Sequence, residues 1–478
     1  MSMSSRLALG AIALLSLTLA APVGALAQTG PGMLPMPPEH AQAIEAQGGL
    51  YDGPMAAYVA QVGDRAAQAA GKGGQCGFHV INNNVVNAFT SPPGCHVYIS
   101  RGLLGLLNNE AELAATLGHE VGHVTANHAG RRQQREVITG LGALILGAVT
   151  KSQDVAKIAS QVGQLNVLSY SRDQEFEADS RGVQYTTRAG YSPYGLAGVL
   201  QALQRDEQFE TKVQGASHAS VPSWARTHPL TSDRIARAVQ AAKATGAPPG
   251  EGATGAQAYL NAVDGMVYGD DASQGFVQGR AFAHPGLRIG FQAPMGFTLT
   301  NGANAVSIAG SSGKAQFTVA RLQGRSLEAY TQAVLSQIIG RTPVQLEQPA
   351  RTRINGLEVF VQPALARTAQ GDVELVVATY ATGPDTAYQF VTQSLASKGR
   401  VFDPMINSLH QLSAAEVAAL KPRRIEVVTV RAGDSIQSLA QRMAFEDNKV
   451  ERFNLLNGLQ PTETLKPGRR IKLVTVAR

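Results

Sequence analysis

The sequence has few charged and few aromatic residues, and its positive charge is not concentrated in any one stretch. Charged residues make up 16% of the 478 positions, aromatic residues make up 6%, and the formal net charge is +6. Lysine and arginine form no long run and are not interleaved with aromatic side chains. Proteins that bind nucleic acid generally carry such basic stretches. We therefore expect no nucleic-acid partner.

Hydrophobic runs that reach the roughly 20 residues needed to span a bilayer are also missing. The apolar run from Leu7 to Ala20 follows Arg6 and precedes Ala25-Leu-Ala27, which is the order found in a cleavable secretory signal. We predict a signal peptide at residues 1–27 and export to the periplasm, with a retained anchor as the alternative. No cysteine lies near the cleavage point, so a lipoprotein is not expected.

A second apolar run extends from Val137 to Val149 and is rich in glycine and alanine. It is also too short to cross a bilayer. We predict a buried helix or hairpin arm here. The alternative is a peripheral association with a membrane surface.

Cysteine is nearly absent, because the chain has only two, Cys76 and Cys95. In an oxidising compartment such a pair typically forms a disulfide. Two buried free thiols are the alternative. The two cysteines bracket a ribbon with three strand-like runs, at Phe78–Ile81, Val85–Phe89 and His96–Ile99.

Against this sparse background, His119, Glu120 and His123 form a His-Glu-x-x-His motif. Helix positions four apart share one face, so both imidazoles can hold a single Zn²⁺. Glu120 then lies beside the coordination position left for water and can act as a general base. Asn109 and Glu112 give an N-capping signal just ahead of the motif, and apolar residues follow at helical spacing.

A third zinc ligand is needed, and spacing does not identify it. His128 does not fit the metzincin pattern, and we interpret it as a residue of the helix face or a support for a ligand. Among the downstream acidic residues, Glu175 and Asp179 share a helical face. Glu175 can ligate zinc, and Asp179 can orient a ligating histidine through its second ring nitrogen. Asp173 remains open as a ligand, and Glu177 is interpreted as a solvent-facing acid.

These motifs together resemble a known family. The segment His119-Glu-Val-Gly-His123, followed by Ser171-Arg-Asp-Gln-Glu-Phe-Glu-Ala-Asp-Ser-Arg-Gly182, is similar to the HtpX-type and CAAX-prenyl-protease-type zinc metalloendopeptidases, in particular their soluble periplasmic BepA-like branch. The resemblance covers roughly residues 40 to 245 and includes three further segments: Asn87-Ala-Phe89, Ser100-Arg-Gly-Leu-Leu104, and Thr227-His-Pro-Leu230 with Arg234. It implies that His119, His123 and Glu175 bind one Zn²⁺ per chain and that Glu120 is the catalytic base.

The resemblance also implies roles for residues that the motif alone would not single out. His228 can approach the zinc as an extra ligand that keeps the enzyme latent, and Arg234 is placed to stabilise the oxyanion. The resemblance further implies that Asn87, Ala88 and Phe89 form an edge strand whose backbone groups could pair with an extended peptide substrate. Without the resemblance, His228 reads as an ordinary loop residue.

The rest of the chain predicts a linker and two further domains. Residues 244–280 form a Gly/Ala/Pro-rich linker and a connecting segment, and residues 281–412 form an α+β domain that weakly resembles Mog/PsbP-like sandwiches. Residues 425–478 resemble a LysM module, a strand-helix-helix-strand unit that binds N-acetylglucosamine-containing glycans such as peptidoglycan. A module kept only for packing is the alternative. Within 281–412 we expect strands at Leu287–Gln292, Ala315–Arg321, Val359–Pro363 and Val373–Tyr380, and helices at Leu327–Ile339 and Ala387–Ser397.

The sequence thus predicts a multidomain protein. Its parts are a mainly α-helical, gluzincin-like zincin protease domain at 28–243 with a small β ribbon, then the α+β domain, then the βααβ module. We expect a periplasmic zinc metalloendopeptidase that hydrolyses peptide bonds in misfolded or unassembled envelope proteins. The alternatives are a chaperone or assembly factor with a mostly latent protease, and a peptidoglycan-directed zinc hydrolase.

Overall fold

The computed structural model describes residues 32–131, 170–214, 224, 228–229, 232–248, 252–302, 305–340, 343–368, 371–460 and 463–477. The predicted signal peptide at 1–27 and the apolar run from Val137 to Val149 lie outside the described residues. None of the helices in the described parts of the chain combines the length and hydrophobicity needed to cross a bilayer. The labels below count the described elements in chain order.

The first part of the chain is a helical domain with one small sheet. A long helix carries the His-Glu-x-x-His motif, and the helices before and after it pack against it. The helices are α1 (Pro38–Glu45), α2 (Pro54–Ala69), α3 (Arg101–Leu106), α4 (Glu110–Thr125, the motif helix), α5 (Arg172–Arg188), α6 (Gly195–Gln214) and α7 (Ser232–Ala244); the strands are β1 (Cys76–Ile81), β2 (Ala88–Ser91) and β3 (Cys95–Ser100).

The small sheet has the order β1-β3-β2, so β2 is an edge strand of this sheet. Strands β1 and β3 run parallel with Cys76 opposite Cys95, and the two cysteines are joined by a disulfide. The strand predicted at 85–89 begins only at Ala88 and continues to Ser91. Asn87 stays next to it, where its backbone N–H donates to Ser100 Oγ.

The connecting segment predicted at residues 258–280, which follows the linker predicted at 244–257, is part of the first domain's core. Helix α8 (Ala256–Val263) follows, and strand β4 (Val267–Tyr268) comes after it. Tyr259 and Val263 are fully buried in the same apolar cluster as α2 and α4, and the Tyr259 hydroxyl donates to the Leu104 carbonyl over 2.5 Å. The apolar residues at helical spacing on α8 therefore bury the start of the connecting segment.

The middle domain is built from antiparallel sheets with packing on both faces of the larger one. Its elements are β5 (Phe276–Gln278), β6 (Ala281–His284), β7 (Ile289–Gln292), β8 (Phe297–Asn301), β9 (Ala305–Gly310), β10 (Gly313–Arg321), α9 (Leu327–Ile339), β11 (Val344–Leu346), β12 (Ala350–Ile354), β13 (Leu357–Thr368), β14 (Gly371–Ala381), β15 (Thr386–Leu395), α10 (Asp403–Ser408), β16 (His410–Gln411) and α11 (Ala414–Ala419). The large sheet has the order β11-β13-β14-β15-β10-β9-β8, with β12 paired to β13, and a smaller sheet has the order β16-β7-β6-β5. Helix α9 packs on β13 and β14, while Phe291 of the smaller sheet packs against Phe317 and Phe390 of the large one.

One predicted helix in this domain is wrong. Residues 387–397 were expected to be helical, but Thr386–Leu395 is strand β15, paired with β10 on one side and β14 on the other. Its tyrosine, phenylalanine, valine and threonine residues favour a pleated strand. Pairing on both sides then outweighs the weak helical spacing. The helix predicted at Leu327–Ile339 is present with those bounds.

The last unit is the predicted strand-helix-helix-strand module, and it is built into the first domain. It consists of β17 (Arg423–Thr429), α12 (Ile436–Gln441), α13 (Lys449–Asn457) and β18 (Arg470–Val476), and β4 extends its sheet in the order β18-β17-β4. Lys472 is completely buried, and its ammonium donates to the carbonyls of Gly105 and Leu107 over 2.7 and 2.5 Å. Those carbonyls lie just before α4, so the module contacts the segment that leads into the motif helix.

Candidate metal centre

Helix α4 forms for the reasons that the sequence indicated. The Asn109 side chain accepts a hydrogen bond from the Glu112 N–H over 2.9 Å, which caps the N-terminus as predicted. The apolar face, including Leu113, Leu117 and Val121, is fully buried in the core of the first domain. The helix therefore lies inside the domain rather than on its surface, and the motif side chains are buried with it.

Glycines allow α4 and α5 to approach each other closely. A Cβ atom at Gly182 would lie 3.1 Å from the His119 backbone nitrogen, and one at Gly122 would lie 3.0 Å from the Ala178 carbonyl oxygen. Such distances are too short for comfortable contact with backbone atoms, so larger residues would push the two helices apart. This approach places the acidic face of α5 against the histidines of α4. Both glycines lie within the motifs, but spacing alone gave no reason to single them out.

Four buried side chains bring possible ligand atoms together at one point: His119, His123, Glu175 and His228. His119 Nε2 lies 3.0 Å from His123 Nε2 and 3.3 Å from His228 Nδ1. Glu175 Oε1 lies 3.4 Å from His123 Nε2 and 2.9 Å from His228 Nδ1. Among the downstream acids that spacing left open, Glu175 is the one found in this group.

These separations fit a tetrahedral metal ion. Zinc binds histidine nitrogen and carboxylate oxygen at about 2.0–2.2 Å, which puts neighbouring ligand atoms roughly 3.3–3.6 Å apart. The separations of 2.9–3.4 Å in the structure are slightly shorter than or within that range. Three imidazoles and a carboxylate are also donors that zinc prefers. The residues present therefore fit the metal that the motif predicts.

Glu120 lies at the edge of this group and does not belong to it. The side chain is 2% exposed, its Oε1 lies 3.5 Å from His228 Nε2, and its Oε2 has no hydrogen-bond partner among the described residues. Burial raises the pKa of Glu120, and the nearby His228 opposes that rise. A buried carboxylate with one free oxygen beside a metal site is suited to accept a proton from water.

Asp179 and Arg234 support the group from behind. Asp179 Oδ1 lies 2.9 Å from His119 Nδ1, the ring nitrogen opposite the one that faces the ligand group. Arg234 donates from Nε and one terminal nitrogen to the two Asp179 oxygens over 2.8 and 2.7 Å, and its other terminal nitrogen lies 2.7 Å from Glu175 Oε2. The orienting role of Asp179 stays a prediction, which this short distance to His119 supports. The oxyanion role of Arg234 stays a prediction, because its guanidinium is engaged by carboxylates here.

A small cavity opens beside the group. It measures about 50 Å³, and its lining includes Asn87, Ala88, Glu120, His228 and Arg234. A space of that size holds a few water molecules but not a peptide. The predicted edge-strand residues thus reach the site, although Phe89 itself is buried and stacks on Tyr98.

The comparisons with known proteins agree with this geometry. The sequence profile of Peptidase family M48 matches residues 55–242, a range that contains all four side chains of the group. This chain carries an M48 peptidase domain. A LysM profile matches residues 428–474, within the strand-helix-helix-strand module. The family resemblance drawn from the motifs is therefore confirmed for these two parts of the chain.

Several relatives share the M48 domain. The chain is 30% identical over 199 residues to the beta-barrel assembly-enhancing protease of Yersinia pestis, covering 40% of this chain and 39% of the relative. It is 33% identical over 172 residues to the beta-barrel assembly-enhancing protease of Escherichia coli K12, covering 34% of this chain and 33% of the relative. It is 34% identical over 125 residues to the mitochondrial metalloendopeptidase OMA1 of Arabidopsis thaliana, covering 26% of this chain and 25% of the relative. The chain thus matches between a quarter and two-fifths of the length of these relatives.

The solved structures similar to this chain resemble it only distantly. The solution structure of cyanobacterial PsbP from Synechocystis covers 29% of this chain at 9% identity with a TM-score of 0.23. A TM-score this low carries no inference about the middle domain. The PsbP-like character of residues 281–412 stays a prediction.

The M48 domain also contains a residue near the ligands that the motifs did not single out. The Tyr170 ring stacks on the His123 ring with centroids 3.8 Å apart and planes 24° from parallel. Tyr170 stands directly before the Ser171 that caps α5. In the sequence, only its position next to the acidic motif indicated that Tyr170 lies near the ligands.

Proposed function

We propose that the chain is a zinc-dependent metalloendopeptidase. The observation that carries this proposal is the convergence of His119, His123 and Glu175 beside the buried carboxylate of Glu120, within a domain of Peptidase family M48. Two histidines of a His-Glu-x-x-His helix together with a glutamate from another helix are typical of peptidases. It argues against the peptidoglycan hydrolase that the LysM module alone would allow.

The chain's own residues account for the proton transfers in this proposal. When bound by the two histidines and Glu175, Zn²⁺ supplies Lewis-acid chemistry, polarising a carbonyl and lowering the pKa of water. Glu120 accepts a proton from the water as its oxygen bonds to the scissile carbonyl carbon. Glu120 then donates that proton to the amine nitrogen as the carbon–nitrogen bond breaks. Asp179 keeps His119 oriented throughout, since it contacts the ring nitrogen turned away from the ligand group.

The substrates proposed are misfolded or unassembled proteins of the cell envelope, met in the periplasm. Two observations support this. The first residues of the sequence carry the pattern of a secretory signal, and two relatives are named for enhancing β-barrel assembly. Substrates would enter along β2, the edge strand whose neighbour Asn87 lines the cavity at Glu120. Backbone pairing along an edge strand accepts many sequences, which suits a protease that recognises unfolded chains.

His228 is proposed to hold the protease latent. Its Nδ1 lies 3.3 Å from His119 Nε2 and 2.9 Å from Glu175 Oε1, so it would take the coordination position that water needs. Replacing His228 with alanine should therefore raise basal proteolysis. The increase should be about tenfold if the metal favours His228 over water by about 1.4 kcal/mol.

One experiment tests both proposals. Wild-type protein and His228→Ala are stripped of metal, assayed on unfolded casein, reloaded with Zn²⁺ and assayed again, with the remote variant His410→Ala as control. Activity should appear only after reloading, and His228→Ala should exceed the other two proteins. Metal-loaded samples that never cleave would contradict the peptidase proposal and favour an assembly factor. A His228→Ala rate at or below wild type would contradict latency alone.

The LysM module is proposed to bind peptidoglycan. The support is the LysM profile over residues 428–474. Full-length protein should co-sediment with purified peptidoglycan sacculi, and soluble N-acetylglucosamine oligomers should compete with that binding. Co-sedimentation no greater than that of an unrelated periplasmic protein would favour a module retained for packing on the M48 domain.

A further inference from the structure

His128 is fully buried although it lies beyond the end of α4. The chain turns at Asn127, whose φ of 51° is in the left-handed region, and this turn returns His128 towards the motif helix. His128 Nδ1 then lies 2.8 Å from His123 Nδ1, and His128 Nε2 lies 3.2 Å from Glu177 Oε2. Both nitrogens of this buried ring are therefore used, and one of them contacts a proposed metal ligand.

The metal site determines which ring nitrogens of His123 and His128 carry a hydrogen. His123 faces the ligand group with Nε2, so its Nε2 lone pair is needed for a metal and its hydrogen must be on Nδ1. That hydrogen needs an acceptor, and His128 Nδ1 is 2.8 Å away. A neutral His128 that accepts at Nδ1 carries its own hydrogen on Nε2. This second hydrogen is then directed at the Glu177 carboxylate.

Glu177 is held in place for this contact. Its Oε2 accepts a hydrogen bond from Arg131 over 2.9 Å, and its Oε1 accepts one from Arg181 over 2.8 Å. Two guanidinium groups keep the side chain ionised and directed at His128. The side chain is 35% exposed, so the solvent-facing acid predicted from the sequence also contacts the buried His128.

We infer that His128 and Glu177 are positioning residues for the metal centre, which orient His123 through a Glu177–His128–His123 hydrogen-bond chain. The inference rests on the proposed zinc function. Asp179 Oδ1 lies 2.9 Å from His119 Nδ1, so a carboxylate would orient His119 directly. His123 is oriented by a carboxylate acting through an intervening imidazole. Partners of this kind typically change metal affinity 10–100-fold when they are removed.

Two substitutions at His128 separate orientation from packing. His128→Asn keeps an oxygen that can accept from the His123 Nδ1 hydrogen, whereas His128→Phe keeps a large ring and offers no acceptor. If His128 orients His123, His128→Phe should bind Zn²⁺ about 10–100-fold more weakly than wild type. His128→Asn should recover most of that loss. If the ring only fills space, the order of the two variants should be reversed.

Zinc affinity is measured on purified full-length protein by competition with a chromophoric chelator, without any peptidase assay. Glu177→Ala tests the outer partner at a partly exposed site where folding is not at risk, and Asp173→Ala, an exposed acid on the same helix, is its matched control. We expect Glu177→Ala to bind Zn²⁺ more weakly and Asp173→Ala to match wild type. The inference is overturned if His128→Phe and Glu177→Ala both bind as tightly as wild type, or if His128→Phe binds more tightly than His128→Asn. A wild-type protein that binds no stoichiometric Zn²⁺ would contradict the proposed function as well.

Discussion

Glu120→Gln should reduce kcat/KM on unfolded casein by about 10²–10⁴-fold while leaving stoichiometric Zn²⁺ bound. General-base catalysis typically contributes that much, and glutamine cannot take a proton from water. The substitution nearly preserves side-chain volume, and Glu120 is not among the four side chains whose donor atoms converge. Loss of activity without loss of metal would therefore assign the proton transfer to this carboxylate.

The measurement compares kcat/KM and bound zinc in the same samples, with Glu328→Gln as a control. Glu328 is an exposed acid in the first turn of α9, in the middle domain and outside the M48 domain. Metal-loaded Glu120→Gln with nearly wild-type activity would show that another group is the base. Loss of zinc together with activity would show that Glu120 supports the site rather than the chemistry.

The motif helix was predictable from its own residues, and the complete site was not. Asn109, Glu112 and the apolar spacing determine where α4 begins and which face is buried, and all three are local signals. Choosing Glu175 required the resemblance, because the acids of that short segment are equivalent by spacing. What distinguishes them is how closely α5 approaches α4, and this depends on glycines such as Gly122 and Gly182.

The two largest differences from expectation also come from contacts distant in sequence. Residues 258–280 were predicted only as a connecting segment, yet Tyr259 is completely buried against the helices of the first domain. Residues 387–397 have weak helical spacing, yet their aromatic and β-branched residues favour a strand, and β10 and β14 pair with Thr386–Leu395 on both sides. In both places, contacts with distant parts of the chain decide the structure.

The buried Lys472 gives a physical link between the two matched domains. Its ammonium donates to carbonyls at the end of α3, a few residues before the first turn of α4. Burial lowers the pKa of Lys472 to about 7, and the nearby Glu112 carboxylate opposes that change. Glu112 also accepts from the N–H of Asn108 over 2.6 Å at the start of α4. The LysM module and the motif helix therefore share one buried polar cluster.

Arg234 is expected to act chiefly by bracing the metal centre, and Arg234→Gln should lower the free energy of unfolding by about 3–5 kcal/mol. Arg234 is 3% exposed, and it lies between Asp179 and Glu175, which are 4% and 0% exposed. Removing the cation leaves two buried carboxylates without their partner, which is among the more costly single changes in a protein interior. Arg234→Lys should recover only part of the loss, because an ammonium cannot match the two-point contact with Asp179.

If Arg234 instead stabilises the oxyanion, the expected effects on activity and on stability are reversed. That role would give a loss in kcat of about 10²–10³-fold with little change in stability, and lysine would retain much of the function because the charge is kept. Urea unfolding and zinc-loaded kinetics on the same variants separate the two, with Arg237→Gln as the matched control. Arg237 is an exposed arginine on the same helix, and its guanidinium lies over the Phe176 ring.

The two outcomes for Arg234 lead to different assignments. An unfolding free energy equal to wild type in Arg234→Gln, together with a large loss in kcat, would assign Arg234 to catalysis. A loss of stability shared with Asp179→Asn would assign it to the support of His119. In that case the double variant should be little less stable than either single variant, because the two side chains act as one unit.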